Sequence, residues 1–259
     1  MSTPYISKEE KKIPIDDPTG KWSDLTLLPE WEEEFYDVYT AKKHGKWVML
    51  KALKKQYADD KRFQEMISRE FETRYSLAHP NIVMVNDFEE VPGIGMAIIT
   101  DDVYGYSLRR LIDEKRLTPK ILHRLETQLP DAMSYIQENH IIHHPITPES
   151  IIFTEFNENL KLINVGYDQR NELTPLDTME DMFAYGTILN EVLDHTPERM
   201  PRLRRIARRC TAPDPIRRYR NFDDVRLSMQ RGSSALFIVV VVSVIVFLGI
   251  IVCWLVVNS

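Results

Sequence analysis

The chain's polar groups with the most chemical scope lie between His143 and Gly166, in the run HHPITPESII, a turn over residues 155–159, and LKLINVG. Thr147, Ser150 and Asn164 offer neutral oxygens there. Mg²⁺ takes carboxylates and phosphate oxygens in preference to such groups, and Pro145 has no side-chain acceptor at all. Glu32, Glu33 and Glu34 make a carboxylate run that reads as a solvated edge of the sheet and would repel a polyphosphate. The two cysteines, Cys210 and Cys253, are far apart and the second lies in an apolar run, so neither a disulfide framework nor a zinc site is indicated.

Short strands and helices must position these groups. Residues 143–166 read as a loop, a strand ending at Phe153, a tight turn, and a second strand closing on Asn164-Val165-Gly166. Ile146, Ile151, Ile152, Phe153, Leu160, Leu162 and Ile163 give it an apolar side. Upstream, a hairpin turn falls near His44-Gly45 and an alternating strand ends at Lys51. A polar helix follows over about 59–77, then strands around 84–88 and 96–100. Helices are expected over 107–115, 119–139 and 180–193.

These blocks resemble, in order, those of protein kinases. The 143–166 hairpin has the spacing of the H-R-D-L-x-x-x-N catalytic loop and the D-F-G metal loop. Val48-Met49-Leu50-Lys51 resembles V-A-I-K, and His79-Pro80-Asn81-Ile82-Val83 resembles the block that ends the family's C helix. Glu70 then stands where the helix glutamate pairs with the strand lysine. The run 180–193 resembles D-V-W-S-L-G-V-I-L-Y-E-M-L, and Cys210 to Arg218 resembles C-x-x-x-D-P-x-x-R. The resemblance covers about residues 30–230 and implies an α+β, two-lobed kinase-like fold, with a small β-rich N-lobe and hinge over 29–105 and a larger helical C-lobe over 106–231.

The reactive positions depart from the pattern. Pro145 stands at the catalytic Asp, Ser150 at the metal-ligating Asn, Asn164 at the D-F-G Asp, and Thr147 at the phosphate-contacting lysine. Trp31, Glu33 and Tyr36 occupy the three glycine positions of the phosphate loop, where bulky side chains keep the backbone from a phosphate. Phosphoryl transfer depends on positioning and charge stabilisation, so these losses imply a degenerate member, a pseudokinase without catalytic residues. Lys51 and Glu70, with Asn164 as a weaker candidate, are the nucleotide-pocket residues the resemblance leaves, and the lysine-carboxylate pair equally reads as a tie between helix and sheet. No cofactor is required on this reading, and ATP stays open only as a weak or Mg²⁺-independent ligand. The alternative is a divergent ATP-binding Ser/Thr kinase-like enzyme signalling at a membrane. Arg74, one turn after Glu70, replaces an apolar residue of the family. The segment between Asn164 and Asp181 is short, and Thr174 and Thr178 with Pro175 read as a plain connector.

The net charge of -6 argues against a general nucleic-acid partner. The sign is uneven: the first lobe is acidic, and nine arginines between Arg199 and Arg220 make the last part basic. A solvated helical face with Arg218 buried in a salt bridge accounts for some of these, and a face toward anionic lipid heads for others. Residues 1–28 look like a flexible arm with no apolar signal region. Residues 235–257 carry no charge over 23 positions, about 35 Å as a helix, enough to cross a bilayer. Arginines precede the run and none follows, so the body is expected on the cytoplasmic side with the C-terminus across the membrane, a tail-anchored single-pass protein with a cytoplasmic protein partner.

Overall fold

The structure is a computed structural model and describes residues 11–141, 146–163, 165, 174–229 and 243. A six-stranded antiparallel sheet comes first: β1 (Lys11–Lys12), β2 (Trp22–Leu27), β3 (Tyr36–Lys43), β4 (Lys46–Leu53), β5 (Val85–Val91) and β6 (Gly95–Asp101), in the order β1-β2-β3-β4-β6-β5. The β3–β4 turn falls at His44-Gly45, both with positive φ, as two-residue hairpins require.

Strand alternation sorts the sheet's side chains onto two faces. Val48, Leu50 and Ala52 of β4 join Trp22, Leu25, Tyr39, Ala41 and Ile99 on one face, covered by Ile13 and Ile15. On the other, Leu53, Tyr36, Val85 and Ile98 pack with Ile67 of helix α1 (Lys61–Tyr75). Lys51, one step from both Leu50 and Ala52, therefore points toward α1. The arm expected over residues 1–28 is corrected in its described part: residues 11–28 supply two strands and the cover of one sheet face, because Trp22 and Leu25 bury their side chains there.

The helical part holds β7 (Gly105–Ser107), α2 (Leu108–Asp113), α3 (Pro119–Glu138), β8 (Ile151–Thr154), β9 (Leu160–Leu162), α4 (Pro175–Asp194), α5 (Pro201–Cys210) and a last helical stretch over 222–229. β8 and β9 form the expected hairpin, and β7 adds a third strand to it. The residues of the His-Pro-Asn-Ile-Val block lock onto this hairpin. The Leu162 N–H donates to Asn81 O at 2.7 Å, Val83 N–H donates to Leu162 O at 2.9 Å, and Asn81 Nδ2 donates to Leu160 O at 2.8 Å. One large core joins all five helical segments to the hairpin, with Tyr185 fully buried and edge-on to Phe222.

Helix α4 begins earlier than expected and corrects the plain connector at 174–178. Thr174 is its N-cap, Pro175 its first residue, and Thr174 and Asp177 close a capping box. Gly186 lets α4 meet α5 closely: a Cβ there would stand 2.5 Å from Cys210 Cβ and 2.8 Å from Thr211 Cγ2. Burial pushes the Cys210 thiol up to about 12, so it behaves as a packed apolar group. Among the described residues no helix is long and apolar enough to cross a membrane. The run 235–257 lies, apart from Ser243, outside them.

Candidate functional site

Lys51 and Glu70 come together as the sequence predicts, with Nζ to Oε1 at 2.9 Å. Strand alternation aims Lys51 at α1, and the third turn of α1 brings Glu70 under it. Glu70 is also held by Arg74 one turn on, at 2.8 Å, so the arginine that replaces an apolar residue turns a pair into a buried triad. Glu70 is only 3% exposed and Arg74 7%. Burial by itself would push the Glu70 carboxyl up; Lys51 and Arg74 outweigh it and hold the group below the usual carboxylate range. Tyr36 stacks its ring 4.2 Å from Lys51 Nζ. Burial, and after it the Glu70 carboxylate, raises its hydroxyl well above the ordinary tyrosine value.

A fourth charged group was not legible in the sequence. Glu33, expected on a solvated edge of the sheet, turns inward and places Oε2 2.7 Å from Lys51 Nζ. The β2–β3 connection carries it there in a tight path. Leu28 N–H donates to Val38 O, a 3-10 turn runs over Pro29–Trp31, and Glu33 N–H donates to Tyr36 O. Phe35 then pins the connection, packed against Tyr57 and Phe63 with ring centres 5.5 and 5.1 Å away. Glu32 pairs with Lys54 at 2.6 Å, so the carboxylate run meets the two lysines of one strand end. The other oxygen of Glu33, Oε1, is buried without a hydrogen-bond partner among the described residues.

Trp31, from the same connection, packs on the cluster of Val83, Ile152 and Ile163 beside Val103. Val103 follows β6 as the expected hinge, while Ile152 and Ile163 belong to the hairpin. An indole thus covers the apolar end of the cleft between sheet and helices, and a carboxylate meets the cation at the other end. The signal that could have shown this is the pairing of an aromatic and an acid two residues apart, facing the apolar hinge and Lys51.

A family model described as "Protein kinase domain" matches residues 34–185. The chain belongs to the protein kinase family. It is similar to the serine/threonine-protein kinase PrkC of Bacillus subtilis, 32% identical over 120 residues, which are 46% of this chain and 18% of that protein. PknD of Mycobacterium tuberculosis is 31% identical over 125 residues, 47% of this chain and 18% of PknD. PkaA of Streptomyces coelicolor is 27% identical over 147 residues, 56% of this chain and 27% of PkaA. The chain therefore spans about a fifth to a quarter of the length of these curated kinases.

Against the family's pattern, Pro145 and Asn164 lie outside the described residues. Ser150 and Thr147 are described and turn to each other: Ser150 Oγ donates to Thr147 O at 2.9 Å and accepts from Thr147 N–H at 3.1 Å. The serine hydroxyl thus donates once and accepts once within a turn just before β8. Among the described residues no three metal-ligating side chains converge. Lys51 lies between the carboxylates of Glu33 and Glu70, so an anionic ligand would reach the cation only in competition with Glu33. Arg218, expected in a buried salt bridge, instead stacks over Phe183 at 4.9 Å and donates from Nε to Ala212 O at 2.9 Å. It makes no ion pair among the described residues.

Proposed function

We propose that this protein is a kinase-shaped binding module without phosphotransfer, carried at the cytoplasmic face of a membrane by its 235–257 run. The observation that carries the first half is the inward connection between β2 and β3, whose Glu33 and Trp31 stand where the family's glycine loop would cover a nucleotide. A carboxylate on Lys51 substitutes internally for the anionic ligand, and the two lobes are held together through side chains of the chain itself. The replacements at Pro145, Ser150 and Asn164 support the same reading, since neutral groups there would neither accept a substrate proton nor hold a divalent cation well. A fixed two-lobed body of this kind presents surfaces to a protein partner and needs no turnover.

The retained Lys51–Glu70 contact at 2.9 Å favours a second reading, a divergent ATP-dependent enzyme at the membrane. One experiment separates them. The full chain, purified in detergent micelles, is heated with and without ATP and Mg²⁺ and incubated with γ-labelled ATP and generic protein substrates. The binding-module reading expects no thermal shift and no label transfer. A ligand at 100 times its dissociation constant would add about 2.7 kcal/mol of stability. A shift of that size that disappears in Lys51→Ala, or any label transfer above that of the same variant, overturns it.

A further inference from the structure

A groove of about 800 Å³ lies on the helical part, bounded by α5, the 3-10 turn Pro215–Arg217 and the helical stretch 222–229. Five arginines line it and Asp224 is its one carboxylate. Two of the five meet an acid, Arg202 with Glu126 at 3.7 Å and Arg220 with Asp224, and two more are placed by neutral neighbours. Arg209 stacks on Tyr219 at 4.1 Å, and Arg218 is held by Phe183 and a carbonyl. Arg205 is exposed on α5 with no ion pair among the described residues. Asp224 is spent on Arg220 at 3.1 Å. The groove thus keeps a net positive charge, carried by Arg205, Arg209 and Arg218, which make no ion pair among the described residues.

Two apolar side chains border these cations in full view of solvent: Ile216 is 90% exposed and Leu227 47%. Burial within the chain explains neither. Cations with projecting aliphatic groups beside them are the composition of a membrane-interface contact, with charge at the headgroups and the aliphatic tip below them. Position points the same way. Position 229, the last described residue of that helical stretch, stands six residues before Ala235, the first of 23 uncharged residues, and six extended steps reach at most about 20 Å. If 235–257 spans a bilayer, the groove cannot be far from the headgroups.

We propose that this groove is a docking site for anionic phospholipid headgroups, with Ile216 as its inserting tip, which orients the kinase-like body on the membrane. This rests on the membrane-tethered reading above. An acidic protein segment has complementary charge but leaves Ile216 and the closeness of 235–257 without a role.

The test uses the full chain with Cys253→Ala and Ile216→Cys, labelled at the new thiol with a polarity-sensitive fluorophore; Cys210 is buried and stays unlabelled. The protein is reconstituted into vesicles of phosphatidylcholine alone, or with about 30% phosphatidylserine. Co-flotation with the neutral vesicles reads the tether by itself. The groove is read by emission: a blue shift with phosphatidylserine that is absent with phosphatidylcholine and reversed by high salt. Each arginine neutralised lowers the docked-to-undocked ratio about fivefold, so Arg205→Gln with Arg220→Gln, both exposed and outside the core, lowers it about 25-fold. Flotation without a lipid-dependent shift overturns the docking site and leaves the tether standing. Loss of flotation on neutral vesicles overturns the tether, while the shift with added phosphatidylserine vesicles still decides the groove. An equal shift from inorganic phosphate with neutral vesicles, or a shift that survives the double substitution, overturns the lipid site.

Discussion

Glu70→Gln should be the most damaging single substitution in the cleft, and its cost follows from geometry. Glu70 is 3% exposed and is the common partner of Lys51 at 2.9 Å and Arg74 at 2.8 Å. Removing its charge leaves the buried Arg74 without its carboxylate and Lys51 with Glu33 alone, and breaking a buried pair in this way costs about 3–5 kcal/mol. For a domain of this size that lowers the midpoint of thermal unfolding by roughly 6–20 °C. Lys51→Met should cost less, about 1–3 kcal/mol, because Glu70 keeps Arg74. The pH dependence has a definite sign. The folded Glu70 carboxyl lies below its unfolded value, so its stabilisation is fully present above the unfolded carboxylate pKa of about 4.3 and is lost as pH falls through the folded value. Guanidinium unfolding in micelles, run from neutral to acid pH, should show a constant gap between wild type and Glu70→Gln above about pH 5 and a shrinking one below. A gap under about 1 kcal/mol at pH 7, or one that widens with acid, would refute the triad as the structural clamp. So would a larger loss in Lys51→Met than in Glu70→Gln.

Two further substitutions test the packing that frames the site. Gly186→Ala places a methyl 2.5 Å from Cys210 Cβ, and the overpacking should cost about 1–3 kcal/mol, read as a lower denaturation midpoint with unchanged slope. Thr174→Ala removes the side chain that caps α4 and closes its capping box with Asp177; about 0.5–2 kcal/mol should be lost, with faster amide exchange confined to the first turn of α4.

Much of this architecture was legible because the signals were local or periodic. The alternation of Val48, Leu50 and Ala52 fixes which face of β4 meets the sheet core, and by exclusion sends Lys51 toward α1. The hairpin of β8 and β9 follows from its apolar run and turn, and α3 from the periodic burial of Ile121, Leu125, Leu129 and Ile136. What was not legible depends on partners distant in sequence. Ile13 and Ile15 look like isolated apolar residues in a polar arm until Trp22 and Leu25 give them a surface to cover. The run Thr174-Pro175-Leu176-Asp177 has a helix-start pattern of its own, but the loop expected from the family's activation segment hid it. Glu33 was hardest, because three consecutive carboxylates satisfy the simplest reading, a solvated edge, without any tertiary information.

The inward Glu33 also changes how the missing glycines are understood. If the loop had merely lost them, bulky residues would be expected to swing outward, leaving Lys51 to Glu70 and the apolar end of the cleft to solvent. Instead two of the replacements are complementary to what they meet, an acid on the cation and an indole on Val83, Ile152 and Ile163, and a phenyl beside them, Phe35, anchors the connection on Tyr57 and Phe63. Each contact alone contributes modestly, since Glu33 is more than a quarter exposed and solvent screens such pairs. Their value is joint, because one short connection makes all three and ordering it once serves every contact. The coupling is measurable as non-additivity: Trp31→Ala and Glu33→Gln together should cost less than the sum of the two alone, since either one releases the connection that holds the other in place. Strict additivity would mean that the connection has no joint hold on the cleft and that its inward path does not close it.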